Sequence, residues 1–141
     1  MKHIETAPQL FVAKLDKAYD EVADGYGNLI KTSGKGATAV LTNEGAGVAS
    51  HVTVDVVDCS GQPLPVEPTW FEYVPPGRGC TFSFAWNPEE QDVSGTIHLT
   101  YRGPLGAKYQ KEYGFRTTSE MPFVELEHHA DRDRAKYPDD I

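Results

Sequence analysis

Five histidines, twenty-one acids and two cysteines are the residues of this 141-residue chain suited to acid–base, metal or nucleophilic chemistry. His51 and Asp55 fall within residues 50–57, a run of strict alternation. Val52, Val54 and Val56 take one face there, and His51, Thr53 and Asp55 take the other. His98 projects outward from a later alternating run. Were those strands neighbours, imidazole and carboxylate would converge, as a general base or a metal site requires. Plain alternation already places polar residues on a wet face, and that is the reading expected here. His128-His129-Ala130-Asp131-Arg132-Asp133 also carries ligand types. Adjacent histidines do not share a helix face, and Arg132 and Arg134 would repel a cation, so a solvated tail is expected instead.

Nucleophile patterns are missing. There is no Gly-x-Ser-x-Gly elbow, and neither Cys59 nor Cys80 has a histidine partner by spacing. Cys80 reads as core and Cys59 as a thiol near a turn. The two stand near the ends of different strands, so a bridge between them stays open. Gly45 and Gly47 follow a strand but lead into another strand, which no phosphate-cradling loop does. The expectation is a non-enzymatic chain with no metal and no cofactor.

The elements that position these residues are strands. Thirteen glycines and ten prolines would break a helix bundle but suit strands separated by turns. Residues 9–16 form a first strand, and 17–36 read as a polar connection with a short strand near Leu29-Ile30. Residues 37–42 and 50–57 follow, with the turn Asn43-Glu44-Gly45-Ala46-Gly47 between them. Prolines 63, 65 and 68 keep the next stretch extended. Trp70, Phe71 and Tyr73 form an aromatic strand, closed by Pro75-Pro76-Gly77. Cys80, Phe82, Phe84 and Trp86 share one parity and make the heaviest core strand. Ile97, Leu99 and Tyr101 alternate, and Gly103-Pro104-Leu105-Gly106 turns the chain into Tyr109, Lys111, Tyr113 and Phe115. About seven strands at regular spacing predict an all-β, immunoglobulin-like antiparallel sandwich, with a closed barrel as the alternative.

The predicted sandwich covers residues 1–116. Residues 117–141 form an extension with seven acids against three bases, half of the net charge of −8. Val124 and Leu126 would add a short strand, and 127–136 a short helix. That charge repels phosphate backbones, so no direct nucleic-acid binding is expected. No run approaches the roughly twenty apolar residues of a membrane span. Met1-Lys2-His3-Ile4-Glu5 lacks the apolar run of a signal peptide, so a cytoplasmic location is expected.

Leu41-Thr42-Asn43-Glu44-Gly45-Ala46-Gly47-Val48-Ala49, followed by Val52 and Val54, resembles the turn between two strands of bacterial immunoglobulin-like modules of the CARDB (cell-adhesion-related) type. Val74-Pro75-Pro76-Gly77 and Thr81-Phe82-Ser83-Phe84-Ala85-Trp86-Asn87-Pro88 match a second piece of that pattern. The resemblance spans residues 37–101 and rests on turn and core positions. It implies a seven-stranded sandwich with a binding or spacer role and no catalytic residues. The chain is longer than such a module, and the tail has no counterpart in it.

Surplus aromatics carry the functional expectation. Trp70 and Phe71 are consecutive and must face opposite ways. With Tyr73, Tyr109 and Tyr113 they exceed what one face of a small core needs, so some are expected at a partner surface. Phe123, in the apolar start of the extension, and Asp131 and Asp133 beyond it suit an arm that docks on a protein partner. The expected function is a protein-interaction module using a sheet face or edge and the acidic tail. The alternatives are a small acidic regulator that covers a nucleic-acid site on a larger protein, and a structural spacer.

Overall fold

A computed structural model describes residues 7–128 apart from 24, 28 and 88. Nine strands run through these residues. They are β1 (Leu10–Ala23), β2 (Leu29–Asn43), β3 (Ala49–Asp58), β4 (Val66–Glu67), β5 (Trp70–Val74), β6 (Gly79–Ala85), β7 (Asp92–Arg102), β8 (Lys108–Thr118) and β9 (Glu125–His128). They form two antiparallel sheets, ordered β1-β2-β6-β4 and β5-β3-β7-β8-β9. The fold is a β-sandwich. Two short strands at sheet edges, β4 and β9, bring the total above the seven expected.

The apolar parity of each strand fills the space between the sheets. Val52, Val54 and Val56 of β3, Ile97, Leu99 and Tyr101 of β7, and Phe82 and Phe84 of β6 are all buried. Phe84 meets Phe115 across the sandwich with ring centroids 4.9 Å apart. Gly95 is required where β7 crosses beneath Phe115. A Cβ there would stand 2.0 Å from the Val57 carbonyl oxygen and 2.9 Å from the Phe115 ring.

Two sequence expectations change. Residues 17–36 are mostly strand rather than connection. From Tyr19↔Ser33 to Ala23↔Leu29 they continue the β1–β2 pairing, whereas β6 joins β2 only from Gly36 to Thr42. The sequence of this segment does not alternate apolar with polar residues, so it lacks the pattern by which a strand is recognised. The boundary at 116 also falls inside β8. Thr117 and Val124 are buried, and β9 pairs Glu125–His128 with β8, so the first part of the extension belongs to the sandwich. The short strand expected at Val124 and Leu126 is therefore present. Glu127 and His128 are strand rather than helix, and the rest of the expected helix lies outside the described residues.

Asn43 joins the parts. Its carboxamide is 1% exposed. The Oδ1 accepts the backbone N–H of Gln9 (3.1 Å) and of Gly45 (2.9 Å), and the Nδ2 donates to the carbonyls of Gly47 and Val74, both at 2.8 Å. Its main-chain N–H reaches the Arg78 carbonyl, and its carbonyl accepts from Gly77. Four separate segments thus meet at one residue. Gly45 lets the start of β1 close over this point, since a Cβ would lie 2.3 Å from the Ala7 oxygen. Asn43→Ala would leave buried donors and acceptors unmatched, and a loss of about 3 kcal/mol in unfolding free energy is expected. A urea titration that moved the midpoint no more than a surface substitution does would contradict this assignment.

Candidate functional site

The five-stranded sheet carries the candidate surface. Phe71 packs on the core and Val74 is buried, although strict alternation forbids two inward residues three apart. The alternation slips between them. Opposite the slip stands His51, with a φ of 51°, where the β3–β7 register also shifts. This is a bulge, a device that re-aims side chains. Its consequence is that Trp70, beside inward Phe71, and Tyr73, beside inward Val74, both leave on the outer face. They are 51% and 63% exposed.

A polar field adjoins them. Trp70 is opposite Thr53, whose Oγ1 lies 2.8 Å from the Thr100 Oγ1 on the next strand. Tyr73 is opposite Ser50, and that row continues through Arg102 to Lys108, both exposed. A chain of net charge −8 therefore places two cations in one row with the exposed Tyr73. β5 is also an edge strand. Among the described residues no strand pairs with its outer side, and such an edge can take another strand.

The histidine and acid reading gains geometry without gaining a site. β3 and β7 are neighbours, so Asp55 stands opposite His98, and His98 opposite Glu112. The His98 Nε2 lies 3.6 Å from the Glu112 Oε1 on a partly wet face. Among the described residues no three His, Cys, Asp or Glu side chains converge as metal ligands. A separate groove of about 350 Å³ lies on the same outer face, lined by Cys59, Thr96, Gly114, Arg116, Glu125 and Glu127. Sequence reasoning missed it. The outward position of side-chain-free Gly114, between Thr96 and Glu127 in the pairing, is the signal that marks it.

The predicted surface residues separate. Trp70 and Tyr73 share one face of the β5 edge. Phe71 is half-buried against the core. Tyr109 and Tyr113 are not surface groups. Both are buried, Tyr109 stacks on Tyr101 at 5.2 Å, and the Tyr113 hydroxyl accepts the Val12 N–H at 3.2 Å. Phe123 is 50% exposed but precedes β9, at the opposite edge of the sheet. Four strand spacings, about 19 Å, separate that edge from β5. Asp131 and Asp133 lie outside the described residues. No family model, curated protein or solved structure matches this chain.

The cysteines are both free. Cys59 is exposed at the end of β3, while burial raises the Cys80 thiol from 9.0 to about 11. A raised thiol pKa means a scarce thiolate, and at pH 8 about one Cys80 in a thousand is ionised. Iodoacetamide at that pH is expected to alkylate Cys59 in the folded chain and to reach Cys80 only after denaturation. Equal rates in peptide mapping would show that Cys80 is not held in the core.

Proposed function

We propose that the protein is a non-enzymatic interaction module that takes a protein partner at the β5 edge. The observation that carries this reading is the joint exposure of Trp70 and Tyr73 on one face of an edge strand whose outer side meets no other strand among the described residues. Large aromatics are costly to leave in water, and Trp and Tyr are the side chains that anchor protein interfaces. About 10 Å of strand separates the two, room for two alternate side chains of an added partner strand to pack between and beside them. Arg102 and Lys108 favour acidic residues in that partner. The threonine pair and Ser50 supply hydroxyls for the rim.

The acidic tail enters the same reading as a second contact. Its charge is opposite to that of the Arg102–Lys108 row, so it would engage a different, basic part of the partner. Since β9 belongs to the sandwich, a tail deletion that preserves the fold must begin after His128.

Affinity capture from the source cells should compare the full chain, Trp70→Ala/Tyr73→Ala, and the chain cut after His128. The aromatic pair is expected to weaken the partner's binding by about thirty-fold, as the loss of a hot spot of ~2 kcal/mol does. Both side chains are exposed, so the melting temperature should hold. A partner bound equally well by the aromatic variant would place the interface elsewhere. One lost only on tail removal would move the whole reading to residues 129–141.

A further inference from the structure

We propose that Arg102 and Lys108 form a phosphate site on the outer face of the five-stranded sheet, and that the partner is held there by a phosphorylated residue. That the partner is a protein rests on the reading above. The anion site stands on four observations of its own.

The first is a like-charge pair. Arg102 ends β7, Lys108 starts β8, and the two are directly opposite one another with both side chains exposed. Like charges directly across a sheet are destabilising. A chain with twenty-one acids and only thirteen lysines and arginines nevertheless sets two cations face to face.

The second is the lack of a neutralising group. Lys14 has Asp16 at 3.3 Å and Arg116 has Asp92 at 3.6 Å. Lys17 and Lys111 are buried, one against two carbonyls and the other over an aromatic ring. Among the described residues neither Arg102 nor Lys108 has an acid within ion-pair distance. The nearest acid along β8, Glu112, is four residues from Lys108, about 13 Å away. That exceeds the screening length of about 8 Å at physiological salt.

The third is rigidity. The Gly103 N–H donates to the Ala107 carbonyl at 2.8 Å, and the Gly106 N–H donates to the Gly103 carbonyl at 3.1 Å. These bonds close the hairpin between the two cations, and both Gly103 and Ala107 are buried. The backbone beneath the pair is therefore set before a ligand arrives, which lowers the cost of binding.

The fourth is the row the pair belongs to, which runs Tyr73, Ser50, Arg102, Lys108 across four strands. Ser50 adds a hydroxyl one strand spacing, about 5 Å, from Arg102.

The ligand's charge follows from the pair. One carboxylate offsets one cation, whereas a phosphomonoester carries about −1.5 to −2 at neutral pH and three acceptor oxygens. A guanidinium takes two such oxygens side by side, and the ammonium on the next strand meets the third as a point charge. Tyr73 lies two strand spacings, about 10 Å, from Arg102. The chain that bears the phosphate therefore crosses the face about three extended residues from the side chain packed on Tyr73. Phosphorylation of the partner thereby switches binding on.

Nuclear magnetic resonance titration of the intact, isotope-labelled chain tests the site with defined probes. At about pH 7.5 a phosphomonoester is mostly a dianion. There the capped tripeptide Ala-phosphoserine-Ala is expected to shift the amide signals of Ser50, Arg102, Gly103 and Lys108 to saturation. The same tripeptide with glutamate or plain serine at its centre should bind at least about tenfold more weakly. Arg102→Gln/Lys108→Gln should lose saturable binding and, freed of the like-charge pair, keep or raise its melting temperature. Trp70→Ala/Tyr73→Ala should bind the phosphopeptide as the wild type does, since three residues centred on Arg102 stop short of Tyr73. A phosphopeptide bound no more tightly than its glutamate counterpart, or equally well by folded Arg102→Gln/Lys108→Gln, would overturn the site. Phosphatase treatment of the source lysate separates a phosphorylated partner from free phosphate. A partner captured through Trp70 and Tyr73 that survives this treatment would overturn the phosphorylated residue and leave the interaction module standing. One lost on phosphatase treatment, and on Arg102→Gln/Lys108→Gln, but indifferent to the aromatic pair would support the phosphate site and sink the β5 contact.

Discussion

The buried carboxamide of Asn43 is the interaction on which the arrangement of this sandwich depends. It ends β2, and within hydrogen-bonding reach it gathers the start of β1, the β2–β3 turn, the last residue of β5 and the turn into β6. A buried amide is costly unless its donors and acceptors are matched, so each segment it touches has little freedom to shift. That constraint sets where β5 finishes. Through the pairing of β5 with β3, it also sets where the bulge at His51 falls. The exposure of Trp70 and Tyr73 follows from that bulge.

The open side of the sandwich is held differently. β1 lies at the edge of one sheet, yet two of its N–H groups are satisfied by tyrosine hydroxyls rooted in the other. Tyr101 and Tyr113 thus join the sheets by hydrogen bonds as well as by packing, which is how a tyrosine can occupy a core without an orphaned hydroxyl. Lys17 extends the same bridge by donating to the carbonyls of Thr118, at the end of β8, and of Met121 just beyond it, and Lys111 sets its ammonium 3.5 Å from the Phe11 ring centroid. Past Lys17 the strand continues to Ala23, paired with β2 alone among the described residues.

Much of this was legible residue by residue. Val52, Val54 and Val56, then Phe82, Phe84 and Trp86, then Ile97, Leu99 and Tyr101 all turned inward as their alternation required, because a strand with one wet face must segregate its side chains by parity. Asn43 and Gly45 marked a turn correctly, although their larger role is in tertiary hydrogen bonding. Tyr109 and Tyr113 were misjudged for a physical reason. They share parity with Lys111, and a lysine ordinarily marks a wet face. Here the lysine is buried over an aromatic ring, and its whole row faces the core. The strand pairing within residues 17–36 was missed because that segment does not alternate apolar with polar residues.

By itself the sequence determined that the chain is a β protein, where most turns fall, and which parity of each strand carries its apolar load. These are local properties, written in backbone preference and in a two-residue period. Only the tertiary structure decided which aromatics remain in water, that β9 completes the second sheet, and that β2 outruns β6. Each of these depends on which distant segments lie side by side. A one-residue slip, such as the bulge at His51, reassigns the face of every side chain beyond it without altering the local pattern.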